Sequence, residues 1–333
     1  PVAVPNYDQM GSLAYYGLVA VQKLGVFSVP AFLFIMGMFL SYAERGSKTH
    51  LNWTMVRRRI LNLLPPYLIW TVVYFAVDFA IGNRHNPVDY ALSIVTVSRS
   101  VFFYIPLIIV YYLISPLLVP AAKKRPKLIL AIGGGILLLG IVSGYVHLYA
   151  RMNGIRDTFL TSPLSYFLER QVFEFFFYYV FGFIAGLNKD KLKELVNRYR
   201  WVLLSVTIIA YVAAVGEAEW VYQSAEIMWR SRTLTLPSAI FSISFILTFL
   251  AFENIKFPSF LYKLGTSTLG IYLIHKTVLL VMPKIIYHLL PFVLGIQIVY
   301  MPILIISGVG IPLLIMMATR KLPFRKHYRL LFG

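Results

Sequence analysis

The chain has no cysteine and is poor in acidic residues. Among its 333 residues, 13 aspartates and glutamates stand against 31 lysines and arginines. The lack of cysteine excludes disulfides, thiolate metal sites and a cysteine nucleophile. Charged residues make up only 13% of the sequence, which is too little polar surface to cover the core of a soluble protein of this length.

Apolar residues dominate instead, at 59% of the chain, with a mean hydropathy of +0.74. Nine apolar runs are interpreted as helices that cross about 30 Å of hydrocarbon, although the sixth is short and could begin at Trp201. They cover Val26–Tyr42, Leu63–Ile81, Phe102–Ala122, Leu128–Tyr149, Gln171–Leu187, Val202–Val215, Leu236–Phe252, Leu264–Val281 and Val299–Thr319. Such runs predict an all-α, polytopic transmembrane helix bundle, because helices satisfy their own backbone in lipid. No linker or repeat divides the chain, so we expect residues 1–333 to form a single integral membrane domain.

The net charge of +18 would suit nucleic acid, but here the cations lie at the ends of apolar runs, and we expect no nucleic-acid partner. Most of them fall in alternate loops. These are Arg45, Lys48, Arg57, Arg58, Arg59, Lys123, Lys124, Arg125, Lys127, Lys189, Lys191, Lys193, Arg198, Arg200, Lys256, Lys263, Arg320, Lys321, Arg325, Lys326 and Arg329. The other loops hold a smaller set, namely Lys23, Arg84, Arg99, Arg151, Arg156, Arg170, Arg230, Arg232 and Lys284. The positive-inside rule makes the larger set cytoplasmic, which places the C-terminus inside and, with nine spans, Pro1 on the outer side.

An outer Pro1 needs an explanation, because the first residues carry no basic segment and no apolar core of a signal peptide. We expect at least one further span before Pro1 in the gene. The alternative is a start processed from a signal peptide.

His275 is the one histidine placed well inside a predicted span. It lies about 18 Å from the inner interface at 1.5 Å per residue, and Lys276 follows it. An imidazole at this depth is a general base, a proton relay or a structural hydrogen-bonding group.

A cluster of three arginines, Arg57, Arg58 and Arg59, precedes the second span, and Pro65-Pro66 follows, where we expect a break or kink. One interpretation is a stop-transfer signal with snorkelling side chains. The other is a phosphate clamp, since arginine binds phosphate oxygens bidentately.

On the outer side, Glu174 lies near the end of its span and is either solvated or part of an outward cavity. Asp78 is in the same position on the second span. The predicted outer loop Gly216–Pro237 combines carboxylates with Trp220 and Trp229. That combination suits a sugar platform, and it is also typical of an interfacial aromatic belt. Walker A, GxGxxG, HExxH and GxSxG motifs are absent.

Several blocks resemble acyltransferase family 3, the integral membrane proteins that O-acylate glycans. Phe32–Leu40 (FLFIMGMFL) is similar to the family's FFxxGFxL stretch, and Arg57–Trp70 (RRRILNLLPPYLIW) to its arginine-rich segment ending in PPYLxW. Phe103–Pro116 (FYIPLIIVYYLISP) resembles its WFxPxLLxxYLxxP block, and Leu264–His275 (LGTSTLGIYLIH) its signature near the penultimate span. Leu322-Pro-Phe-Arg fits as well, so the resemblance extends along the whole chain.

The chain also departs from the family. Members have ten spans, with a catalytic histidine, preceded by an arginine, in the first helix; neither residue matches a position here. In the family's RxxR motif Arg59 matches the first position, but Asn62 stands at the second.

The resemblance implies an acyl-CoA donor, with acetyl the expected group, bound from the cytoplasm and held by Arg57, Arg58, Arg59, Tyr67 and Trp70. It implies transfer to a hydroxyl of a cell-surface or lipid-linked glycan, with His275 and Tyr272 as catalytic candidates. The acceptor candidates are Glu174, Trp220 and Trp229. No metal or tightly bound cofactor is implied. The alternative is a transporter or flippase for a polysaccharide or lipid-linked sugar, although we find no internal repeats or paired broken helices of the transporter kind.

Overall fold

The computed structural model describes residues 13–46, 53–83, 86–97, 100–155, 171–225, 232–321 and 327–333, which are helical almost throughout. The helices are α1 (Leu13–Leu24), α2 (Ser28–Gly46), α3 (Trp53–Ala80), α4 (Pro87–Val95), α5 (Tyr104–Lys124), α6 (Pro126–Met152), α7 (Gln171–Glu174), α8 (Phe176–Leu187), α9 (Lys189–Arg198), α10 (Arg200–Ala225), α11 (Leu236–Ala251), α12 (Ser259–Thr266), α13 (Thr268–Leu289), α14 (Gln297–Lys321) and α15 (Tyr328–Phe332). Short 3₁₀ turns lie at Gly25–Phe27 and Pro291–Gly295. The all-α prediction is confirmed.

Seven helices in the described residues are long and apolar enough to cross a membrane, so this is a multi-pass membrane protein. Two of the nine predicted spans form shorter apolar helices, Gln171–Leu187 and Leu236–Ala251. These fall short of the roughly 20 residues that a perpendicular span needs, and nine spans therefore remains a prediction.

The structure corrects three local expectations. The first candidate span begins at Tyr15 and runs to Glu44, well before the predicted Val26. The sixth, α10, continues to Ala225, so the first part of the expected outer loop Gly216–Pro237 is helix. Pro65 and Pro66 lie inside α3 without breaking it, because neighbouring groups in a bundle can satisfy the backbone that proline frees.

Helix ends follow local chemistry. The Asn86 side chain accepts a hydrogen bond from Val88 N at 3.0 Å and caps α4, and Thr235 accepts one from Ser238 N at 3.3 Å and caps α11. Pro126 occupies the first position of α6, where the missing N–H of proline costs no helical hydrogen bond. Gly82, with φ of +95°, follows the end of α3.

The described chain divides into two compact units, each built from separate stretches of sequence. The first contains Thr54–Ile109 and Lys256–Gly333, together with the described residues up to Leu18. Its core joins Tyr67, Phe102, Ile105 and Leu273, and a neighbouring cluster contains Ile274, Val278, Met316 and Phe332.

The second unit contains Val19–Trp53 and Val110–Ile255. Here α2 and α8 approach closely because glycines face the partner backbone. A Cβ on Gly37 would lie 2.6 Å from Phe183 N, and one on Gly182 would lie 2.6 Å from Phe34 C. Gly182 and Gly186 form a GxxxG pair, the spacing by which membrane helices pack backbone to backbone.

Candidate functional site

One face of α3 carries most of the predicted donor residues. Arg59, Tyr67 and Trp70 follow one another at helical spacing and are half-buried or buried, whereas Arg57 and Arg58 are exposed. Asn62, at the second position of the RxxR motif, is also exposed. Arg59 is therefore the one arginine of the cluster on the packed face of the helix.

The polar atoms of Tyr67 and Trp70 already have partners in the first unit. Tyr67 Oη donates to Ile94 O at 2.7 Å and lies 3.0 Å from Ser100 Oγ. Trp70 Nε1 donates to Leu331 O at 2.8 Å, and its ring stacks on Phe332 with centroids 6.1 Å apart. Both side chains hold α3 against its neighbours, and Tyr67, at 2% exposure, is enclosed in the core of the first unit.

His275 lies on α13 with a defined tautomer. Its Nδ1 is 2.6 Å from Tyr272 O and 3.2 Å from Ile271 O. A carbonyl oxygen only accepts hydrogen bonds, so Nδ1 carries the proton of the neutral ring and Nε2 keeps its lone pair. His275 is half-buried, whereas Lys276 beside it is exposed.

Tyr272 connects this histidine to the core of the first unit. Its hydroxyl accepts a hydrogen bond from Tyr104 N at 3.1 Å, and its ring centroid is 5.6 Å from that of His275. Tyr272 and Trp70 both pack against the cluster around Tyr67 and Leu273. The structure thus gathers Tyr67, Trp70, Tyr272 and His275 in one unit.

The second unit holds a different set of polar groups within its apolar helices. Glu174 is half-buried and accepts a hydrogen bond from the Thr233 hydroxyl. Tyr145 donates to Glu217, and the Tyr145 hydroxyl accepts from Leu236 N at 3.2 Å. Lys23 is 0% exposed and donates from Nζ to Arg232 O at 3.2 Å.

The family comparison decides the class of this protein. A family model described as an acyltransferase domain, that of acyltransferase family 3, matches residues 3–317. This chain belongs to that family. No curated protein and no solved structure matches it. It is a membrane-embedded acyl-transfer enzyme.

The structure of this acyltransferase does not bring the acceptor candidates into one cluster, as it does for several of the donor candidates. Trp220 lies on α10 and is 56% exposed. Trp229 lies outside the described residues. Within the residues described, no three His, Asp or Glu side chains converge as a metal site.

Sequence reasoning missed the buried polar groups of the acyltransferase. Lys23 was expected in an outer loop but lies fully buried within the first candidate span. Asp78 is also buried, at 4% exposure, and accepts from Asn83 Nδ2 at 2.7 Å, so the solvated interpretation of it is wrong. A signal for Lys23 was present: the apolar run continues before Gly25, and a lysine inside such a run is a site candidate by default.

Proposed function

We propose that this acyltransferase transfers an acyl group, with acetyl as the expected one, from acyl-CoA to a hydroxyl of a cell-surface or lipid-linked glycan. The observation that carries the proposal is the family match over residues 3–317. The arrangement of the first unit supports it, because α3, which carries the arginines, and α13, which carries His275, both contribute residues to one core. Membership of this family also favours an acyl-transfer enzyme over a transporter or flippase.

In this proposal the arginines of α3 hold the CoA phosphates. Arg57 and Arg58 are exposed at the beginning of the helix, where a polyanion approaching from the cytoplasm meets them first. Arg59 is half-buried on the face that continues to Tyr67, about 12 Å further along at 1.5 Å per residue. The pantetheine arm would follow that face towards α13.

His275 serves in a supporting role, passing on a proton or orienting the donor. The acceptor hydroxyl loses its proton and its oxygen attacks the thioester carbonyl; the C–S bond breaks, and the CoA thiolate is protonated. Nε2 of His275 is the atom that takes part in this transfer, because Nδ1 is engaged by Tyr272 O and Ile271 O. Those carbonyl oxygens stabilise the imidazolium by accepting from Nδ1–H.

Acceptor contacts are proposed for Glu174, Trp220 and Trp229. Glu174 has a carboxylate that accepts from Thr233 and is only half-buried. The Trp220 ring is accessible for stacking against a sugar. We place these residues towards the outer side of the cell membrane, with the C-terminus in the cytoplasm.

The test is a donor-binding and transfer assay on the purified protein with acetyl-CoA. We expect Arg59→Ala to raise the donor Kd by about tenfold or more, the cost of losing a charge-assisted hydrogen bond. The loss should shrink at high salt, because salt screens the exposed part of the interaction. Arg125→Ala removes an exposed cation at the start of α6 and should leave the Kd unchanged.

Unchanged CoA affinity in Arg57→Ala, Arg58→Ala and Arg59→Ala alike would leave only the stop-transfer interpretation of this cluster. Acetyl-CoA turnover with a glycan acceptor, measured in the same preparation, separates a loss of donor binding from a loss of chemistry.

A further inference from the structure

An apolar groove runs along the second unit between α2 and α11. Phe27, Ala31 and Ile35 line one side, and Phe245, Phe249 and Leu250 line the other. Its volume is about 470 Å³, and among the described lining residues Ser28 is the one polar side chain. From Phe27 to Met38 the groove follows α2 for about 16 Å at 1.5 Å per residue.

A charged pocket of about 240 Å³ adjoins this groove where α2 and α11 end. Lys189, Asp190 and Lys193 of α9 line it together with Glu253, which follows α11. Met38 and Leu250 line both cavities, so the apolar groove and the charged pocket lie next to each other. The combined site has the shape and polarity of a single amphiphile, with an apolar tail and a charged head.

We propose that this groove and pocket bind one phospholipid with an ethanolamine headgroup, its acyl chain along α2 and α11 and its head at α9. The proposal is separate from acyl transfer, since none of the proposed donor, catalytic or acceptor residues lines either cavity.

The headgroup follows from the balance of charges in the pocket. Two lysines suit a phosphate and two carboxylates suit an ammonium group, and both kinds lie in the same pocket. Lys193 pairs with Glu253, and the hydrogen bond it donates there raises the pKa of Lys193, which keeps the side chain cationic. Glu253 is already met by Lys193, but a phosphoglycerol head would bring its negative charge beside Asp190 and has no ammonium group to meet that carboxylate.

Ethanolamine also differs from choline in hydrogen bonding. A primary ammonium donates three hydrogen bonds, as the lysine side chain does, whereas a trimethylated ammonium donates none. Carboxylates that accept from the head therefore select ethanolamine over choline at equal charge.

The tail follows from the groove's position. The groove lies within two apolar helices, where a hydrocarbon chain is the natural occupant. The Phe27 and Phe245 rings, 4.0 Å apart, form part of its wall. Aromatic rings provide a large rigid surface for an acyl chain at low entropic cost.

The experiment is native mass spectrometry of the purified full chain, titrated without acyl-CoA with phosphatidylethanolamine, phosphatidylglycerol and phosphatidylcholine of identical acyl chains. We expect one ethanolamine lipid to bind about fivefold or more tightly than the other two, the effect of one ion pair or hydrogen bond that the other head cannot make. Equal affinity for all three lipids would overturn the headgroup assignment, and preference for phosphatidylglycerol would overturn it in favour of an anionic lipid.

Matched variants locate the site. Ala31→Trp fills the groove and should abolish the tight binding, whereas Ala213→Trp adds the same bulk to an exposed position of α10 and should not. If both tryptophan variants bind lipid like the parent, the groove is not the site.

Substitutions in the charged pocket, where the headgroup would bind, test the proposal even if Ala31→Trp does not fold. Asp190→Asn should remove the preference for ethanolamine over choline, while Glu194→Gln, on the same helix but outside the pocket, should retain it. Lys189→Gln should weaken the binding of all three lipids. Lys124→Gln removes an exposed cation at the end of α5 and should leave their binding unchanged. A parent-like lipid profile in Asp190→Asn and Lys189→Gln together would end the proposal.

Discussion

The His275 imidazole is held by its own helix. Its Nδ1–H donates into the carbonyls one turn back, at 2.6 Å to Tyr272 O, so the ring cannot turn freely and Nε2 has a fixed direction. At the scale of single residues, this contact leaves Nε2 as the ring atom that would exchange a proton in the proposed role.

We therefore expect His275→Ala to fold and to bind acetyl-CoA, but to lose transfer rate by about 10²-fold, at the lower end of general acid–base effects. The limb of the pH profile that reports an imidazole should disappear with it. His275→Gln should behave like the alanine variant, because an amide does not titrate. Lys276→Gln, next on the helix and exposed, is the control. A His275→Ala protein with the parent's rate and pH profile would end this assignment.

Trp70 has a structural hydrogen bond that can be separated from any contact with donor. Trp70→Phe keeps an aromatic ring against Phe332 but removes the Nε1 donor to Leu331 O. We expect a stability loss of about 1 kcal/mol, typical of one hydrogen bond, measured by thermal unfolding in detergent. The affinity for the acyl donor should change little, because Nε1 is hydrogen-bonded to Leu331 O of the protein itself. A large rise in donor Kd with unchanged stability would assign the indole to the donor instead.

At the scale of elements, the α2–α8 contact depends on glycine. Gly37, Gly182 and Gly186 have no room for a side chain, because a Cβ on any of them would meet atoms of the opposite helix. Lipid gives no hydrophobic drive to bring helices together, so this close fit is what stabilises the pair.

Gly182→Leu should therefore lower the free energy of unfolding by about 3 kcal/mol, the upper part of the range for overpacking. Gly216→Ala, in α10, is the matched control: its Cβ would meet nothing within 4 Å. That control should be neutral or slightly stabilising, because alanine is the better helix former. Equal melting temperatures for Gly182→Leu and the parent would contradict the close-packing account.

At the scale of the whole molecule, the distribution of charge is the main constraint on orientation. Within the second unit, Lys123 pairs with Glu44 at 2.6 Å, and Lys193 pairs with Glu253. The first pair joins the last turns of α2 and α5, and the second joins α9 to Glu253, two residues beyond the end of α11. Helix ends that the loop charges assign to the cytoplasm thus meet one another, as ends on the same side of a membrane should.

The lack of cysteine makes that orientation simple to measure. Single cysteines at Lys191, on α9, and at Asn153, which follows α6, are both at exposed positions. A membrane-impermeant maleimide should label Asn153→Cys in intact cells and Lys191→Cys only after lysis. If Lys191→Cys alone were labelled in intact cells, the topology would be the opposite of the one proposed.

The sequence by itself determined the class of the protein and its helices. The length of the apolar runs and the shortage of charge follow from composition, and the family blocks follow from the order of residues along the chain. Both can therefore be recognised without a three-dimensional structure. The sequence also singled out Arg59 and His275, because charged and imidazole groups next to or inside apolar runs are conspicuous in one dimension.

Only the tertiary structure decided which polar groups are buried and what they contact. The burial of Lys23, with its hydrogen bond to Arg232, depends on residues distant in sequence. The same is true of the hydrogen bond from Trp70 to Leu331 and of the placement of the apolar groove next to the charged pocket at Met38. The physical reason is that burial and hydrogen bonding are set by neighbours in space, and helix packing brings together residues that no local pattern relates.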